Sequence, residues 1–140
     1  MHPGGPFWAK KDDGAWSIPK GEHGDDEDPH LTAIREFTEE LGSPPPDGVD
    51  VDLGEVQLKS GKHVRCFSRE GTFDATQIVS NTFEQEWPPR SGTTQEFPEV
   101  DRAAWFDLAA ARTKLNPAQA AFVDRLADAL DAIASERGTR

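Results

Sequence analysis

Cysteine is almost missing from this chain: Cys66 is the only one in 140 residues. No internal disulfide can form, and a thiolate zinc site has no second sulfur to build on. Cys66 itself reads as a buried strand residue, and a reducing cytoplasm is the default setting. Long apolar runs are missing too. None approaches the ~20 residues that a bilayer-spanning helix needs, and the opening Met1-His2-Pro3-Gly4-Gly5 does not read as a signal peptide. Basic residues are scarce: 15 Lys and Arg stand against 26 Asp and Glu, a net charge of -11. So acidic a chain repels phosphate backbones, which excludes general nucleic-acid binding.

What is present suits a soluble globular protein. Hydrophobic residues make up 35% and charged residues 29%. The length fits one domain, 1–140, with no repeats and no linker. The negative charge is concentrated. Residues 21–40 hold eight carboxylates against the single Arg35, which is -7 of the -11. Such a concentration calls for a counter-ion or disorder, and the hydrophobic pattern argues against disorder.

Residues 3–15 read as turn and loop, and 15–18 as a short strand ended by Pro19-Lys20-Gly21. Asp28 as N-cap and Pro29 at the first position start a helix over 29–41. Leu31, Ile34, Phe37 or Thr38, and Leu41 give it an apolar face, widened by Ala33. Gly42 and Pro44-Pro45-Pro46 end it. Strands are expected at 51–59 and 62–69, joined by Ser60-Gly61, then at 78–87 and 99–106, with a polar loop over 90–96. Trp105-Phe106 is expected to enter the core. Asp107 caps a short helix to Leu115. A second helix starts at Asn116-Pro117, places Phe122, Leu126, Leu130 and Ile133 on one face, and frays from Ser135. This order predicts a mixed sheet packed between helices.

On the first helix, Glu36, Glu39 and Glu40 stand three and four apart and crowd one stripe. Like charges at that spacing destabilise a helix by about 0.2–0.5 kcal/mol per pair. They also lie in its C-terminal half, where the dipole disfavours anions. Either the stripe is a solvated face, or its oxygens converge on a hard cation such as Mg²⁺ or Mn²⁺. The stretch "DDEDPHLT" is not an EF-hand loop, because it lacks that loop's glycine and terminal glutamate.

The wider run, "GEHGDDEDPHLTAIREFTEELGS", decides between them. Gly21, Glu27, Arg35, Glu36, Glu39, Glu40 and Gly42 occupy all seven fixed positions of the pattern G-x5-E-x7-R-E-U-x-E-E-x-G-U, where U is bulky and apolar. The chain thereby resembles the Nudix hydrolases (MutT-like pyrophosphohydrolases). Phe37 fills the first U, and Ser43 departs at the last. "WSIPKGE" and "EVDRAAWFDL" extend the likeness from Gly14 to about Leu115. The resemblance implies a Nudix-like α/β/α sandwich and divalent-metal-dependent cleavage of a pyrophosphate bond. The substrate implied is a nucleoside diphosphate linked to another moiety. Glu36, Glu39 and Glu40 would bind the ions, with Glu27, the Gly21 carbonyl and an outside acid as further ligands. Glu36 or Glu40 would position or deprotonate the attacking water, and Arg35 would orient a glutamate through its fork. Other members of such a fold only sense a ligand, but those usually lose box glutamates, and this chain keeps all of them.

Glu99 best fits the outside acid, ahead of Glu96, Glu84 and Glu86. Lys20 is a candidate for a substrate phosphate, and Arg65 for another, on a strand face shared with His63 and Phe67 and next to Lys62. Trp8, Trp16 and Trp87 are candidates for stacking on a base, against simple packing. His23 and His30 flank the acidic run, though oxygen ligands are expected there. Family members carry a core strand before the "HPGG"-like turn, whereas here Met1 alone precedes His2. Either the start lies further upstream or the strand is absent. An absent strand would leave an edge open to a second copy, a homodimer contact.

Overall fold

The structure is a computed structural model and describes residues 1–20 and 26–138. The first helix, α1, runs Pro29–Leu41. Asp28 accepts a hydrogen bond from the His30 N–H, and Pro29 brings a φ already suited to a helix. Gly42 ends the helix at φ 87°, with its N–H donating to the Thr38 carbonyl at 2.8 Å. All these signals are local, so the sequence reading and the observed bounds coincide.

β2 (Asp50–Gln57) and β3 (His63–Arg69) form an antiparallel hairpin. Its alternation sends Leu53, Val64 and Cys66 into a buried cluster with Phe122 of the long C-terminal helix, α3 (Ala120–Gly138). A bulge between Asp52 and Glu55 opens β2, and Arg125 of α3 fills it, donating to the Leu53 and Glu55 carbonyls at 2.8 and 2.9 Å. The opposite face turns to α1, where the Phe67 and His30 rings meet edge to face at 5.1 Å. Arg69 forks onto Asp50 at 2.6 and 2.7 Å, and His30 reaches the same carboxylate. The hairpin therefore lies between α1 and α3, a local α/β/α layering.

The expected mixed sheet is not what the described residues form. Their strands make three two-stranded antiparallel pairs. Besides β2–β3, β1 (His2–Pro3) pairs with β6 (Val100–Arg102), and β4 (Thr82–Glu86) with β5 (Thr94–Pro98). Among the described residues, parallel pairing is limited to one bridge between Trp16 and Leu115. The expected strand at 15–18 reduces to that bridge, with the Trp16 N–H on the Lys114 carbonyl at 3.0 Å. The strand expected over 78–87 loses its first residues, because the Val79 N–H bonds to the Leu41 carbonyl at 3.1 Å. Part of the expected 90–96 loop becomes β5. A two-stranded hairpin exposed on one side needs no apolar run to announce it.

The expected strand over 99–106 keeps only β6. Trp105 is 68% exposed instead of entering the core, while Phe106 meets Trp16 edge to face at 4.9 Å. The short helix α2 (Leu108–Lys114) starts at its Asp107 cap as expected. α3 follows a 3-10 turn at Pro117–Gln119 and runs past Ser135, the point of expected fraying. Phe122 is buried but Leu130 and Ile133 are exposed, because the helix outruns the sheet it packs on. Leu31, counted with the apolar face of α1, is 63% exposed, since the stripe runs through Ala33, Ile34, Phe37 and Leu41. Among the described residues, no helix is long and apolar enough to cross a membrane.

Candidate active site

The helical repeat of α1 sorts its glutamates into different environments. Glu40 falls beside Ala33, at the rim of the apolar stripe, Glu36 one step further round, and Glu39 and Arg35 toward solvent. Side-chain exposure follows that order, 17% for Glu36 against 46% for Glu39 and 48% for Arg35. A carboxylate of Glu40 thus enters a partly dry space, where its Oε2 accepts the Lys20 backbone N–H at 2.9 Å. Burial pushes Glu40 up from 4.5 to about 7. The Lys20 N–H pulls the other way, and the charges of Glu36 and Glu99 push further up. Glu36 is raised by burial first and by Glu39, against Arg35, with Glu99 again adding to the rise.

Glu99 is far off in sequence but sits where β5 gives way to β6. Its N–H donates to the Asn81 carbonyl at 2.8 Å, and its own carbonyl accepts the Gly4 N–H at 2.9 Å. Its side chain joins Trp8, Lys20, Glu40, Leu58 and Asn116 around a cavity of about 320 Å³. Glu40 on the helix rim, Glu99 at a strand end and Lys20 on the segment before α1 thus meet at one opening.

Residues 6–126 match the family described as the NUDIX domain. This chain belongs to the NUDIX family. Neither a curated protein nor a solved structure matches it. NUDIX membership brings, at the level of the family, hydrolysis of pyrophosphate bonds and a general use of divalent metals.

Within this NUDIX site, Arg35 lies among three acids. Its Nη1 is 3.3 Å from Glu36 and 3.4 Å from Glu39, and its Nη2 is 3.4 Å from Glu27. Glu27 also accepts the Thr32 hydroxyl at 3.0 Å. Pairs this exposed contribute little stability. Gln119, at the start of the C-terminal helix and without a motif to mark it in the sequence, is buried and holds the segment that leads to Lys20. Its Oε1 accepts the Ile18 N–H at 3.0 Å and its Nε2 donates to the Ser17 hydroxyl at 3.2 Å. The Met1 α-amino group donates to the Ser17 carbonyl at 2.6 Å. Burial lowers its pKa from 8.0 to about 6, with Glu40 opposing that shift.

Other candidates stand elsewhere. Arg65 is engaged by Asp52 at 2.6 Å and lines a second, largely apolar cavity of about 330 Å³ between α1 and β3. Lys62 and His63 are exposed at the hairpin end, and Glu84, Glu86 and Glu96 are exposed on β4–β5. Trp16 is buried with its indole N–H on Asp12, and Trp87 follows β4. Gly21 and His23 lie outside the described residues.

Among the described residues, no three carboxylate, imidazole or thiol groups stand close enough together to hold an ion. The chemistry of the donor set still fits one. Every candidate ligand is an oxygen, and burial with two neighbouring acids leaves Glu40 short of positive charge, a condition that a hard divalent cation meets.

Proposed function

We propose that this NUDIX domain hydrolyses the pyrophosphate bond of a nucleoside diphosphate linked to another group. Nucleoside triphosphates and dinucleoside polyphosphates belong to that class, and Mg²⁺ or Mn²⁺ is the cofactor. The observation that carries the reading is Glu40: a half-dry carboxylate held by the Lys20 N–H, which lines one cavity with Glu99 and feels the negative charge of both Glu36 and Glu99. Glu36, Glu39, Glu40, Glu27, Glu99 and the Gly21 carbonyl would supply the ligand oxygens for the cation, which when bound would neutralise phosphate charge and acidify the attacking water. Glu36 or Glu40 takes the proton of that water as its oxygen bonds to phosphorus. The bridging P–O bond then breaks, and the second phosphate leaves with its electron pair. The Lys20 ammonium meets the substrate phosphates, and Arg35 keeps the box glutamates aimed.

Turnover of a panel of diphosphate compounds with Mg²⁺ or Mn²⁺ tests this reading, scored beside Glu40→Gln. Hydrolysis by the wild type that collapses in the variant supports it. Nucleotide binding without any turnover would instead identify a sensor built on the same fold.

A further inference from the structure

The segment that leads to Glu40 changes partners at Ile18. Before it, Gly14 and Trp16 donate their backbone N–H groups to the Thr113 and Lys114 carbonyls, each at 3.0 Å, and the Asn116 N–H donates to the Trp16 carbonyl at 2.8 Å. This is the bonding of a parallel bridge, Trp16 on Leu115. One step further along such a ladder, the Ile18 N–H would meet the Asn116 carbonyl. That carbonyl is taken, because the chain turns at Pro117 and the Gln119 N–H donates to it at 2.8 Å. The Gln119 side chain supplies the missing acceptor. Its Oε1 takes the Ile18 N–H at 3.0 Å, while its Nε2 donates to the Ser17 hydroxyl at 3.2 Å.

Gln119 is 1% exposed and stands three residues before Phe122, which is buried against the β2–β3 hairpin. A buried amide bonded at both its oxygen and its nitrogen is held in one orientation. Met1 binds the other edge of the segment only as far as Ser17, whose N–H meets the Met1 carbonyl at 2.9 Å and whose carbonyl accepts the Met1 amino group at 2.6 Å. Pro19 has no N–H, and its ring fixes φ. Gln119 is therefore the last partner of a backbone N–H before that of Lys20, which donates to the Glu40 Oε2 at 2.9 Å. Ser17, Lys20, Glu40 and Gln119 line the same cavity of about 320 Å³.

We propose that Gln119 is a positioning residue of this site. By standing in for the Asn116 carbonyl as the acceptor for Ile18, it fixes where the Lys20 N–H meets Glu40, and so where that carboxylate stands in the cavity. Its effect on turnover rests on the hydrolase reading and deepens it; the placement of Lys20 does not depend on that reading.

Gln119→Met nearly keeps the volume and removes both side-chain hydrogen bonds. Amide hydrogen exchange of the metal-free variant is expected to speed up at Ile18 and Lys20. Gly14 and Trp16, whose acceptors are main-chain carbonyls, should keep their wild-type protection. With Mg²⁺ and either ATP or diadenosine tetraphosphate, kcat is expected to fall by up to about 10²-fold, the effect of displacing a reacting group by about 1 Å. Gln119→Glu retains an oxygen for Ile18, and burial favours its neutral form, whose O–H can serve Ser17. It is expected to restore both the protection and kcat. Unchanged exchange at Lys20 in Gln119→Met overturns the proposal, and so does a wild-type kcat in that variant. Should Gln119→Met not fold, exchange in the wild type decides: Ile18 and Lys20 should open together, with one urea dependence, and Lys20 opening without Ile18 overturns the proposal. A wild type that turns over neither substrate fails the hydrolase reading alone, and the exchange outcomes then judge the role of Gln119 by themselves.

Discussion

The Glu40 carboxylate accepts the backbone N–H of Lys20 at 2.9 Å, a contact that ties α1 to the loop before the acidic run. A main-chain donor stabilises the charged form of Glu40, yet burial outweighs it and the net shift is upward. Glu40 is therefore both positioned and electrostatically unsatisfied.

Replacing Glu40 by Gln keeps the acceptor for Lys20 and removes the charge. Turnover with Mg²⁺ is expected to drop by about 10²–10⁴-fold, the range for loss of a positioned acid–base group. The thermal midpoint of the metal-free protein should hold or rise. A variant that retains wild-type kcat would remove Glu40 from the chemistry.

Stability of the metal-free protein should depend on pH in a definite sense. The folded pKa of Glu40, about 7, lies above its ordinary 4.5, so folding favours the protonated group. That contribution is complete below about 4.5 and is lost as pH rises through about 7. Glu36, also raised, acts in the same direction. The Met1 α-amino group opposes them between its folded value of about 6 and its ordinary 8.0. Urea midpoints across this window should fall more steeply in the wild type than in Glu40→Gln, and saturating Mg²⁺ should offset the fall near neutrality. Parallel pH profiles in the two proteins would contradict the assignment.

Gly4→Ala is expected to destabilise the fold by about 3 kcal/mol, the upper end of overpacking costs. The added Cβ would lie 1.8 Å from the Pro98 carbonyl oxygen, a backbone atom that cannot rotate away. The Gly4–Glu99 hydrogen bond would also be pushed apart. Denaturant titration measures the first effect. A rise in KM exceeding that of a distant surface variant measures the second.

Cys66 is buried, and burial pushes its thiol up to about 12. A thiol reagent at mildly alkaline pH should label it at a negligible rate in the native protein and rapidly in urea. Fast labelling of the native state would mean that β3 does not pack on α3.

Much of this protein can be read along the chain. The bounds of α1 follow from Asp28, Pro29 and Gly42, each acting within a turn of the backbone it caps. The spacing of Arg35, Glu36, Glu39 and Glu40 is covalent, so their placement on that helix needed no tertiary information. The β2–β3 hairpin follows from alternation and a glycine turn, which are local as well. Strand limits elsewhere were not readable. Ladder bonds depend on a partner, and the backbone of Val79 and Trp16 went to Leu41 and Lys114 instead. Only the assembled fold decided that Glu40 is half-buried and Glu39 exposed, that Glu99 approaches both Glu36 and Glu40, that Arg65 lines another cavity, and that Trp8 and Trp16 both line the acidic one. The division has one cause. Caps and helical spacing are short-range properties of the chain, while burial and the meeting of distant charges arise only when packed layers bring those segments together.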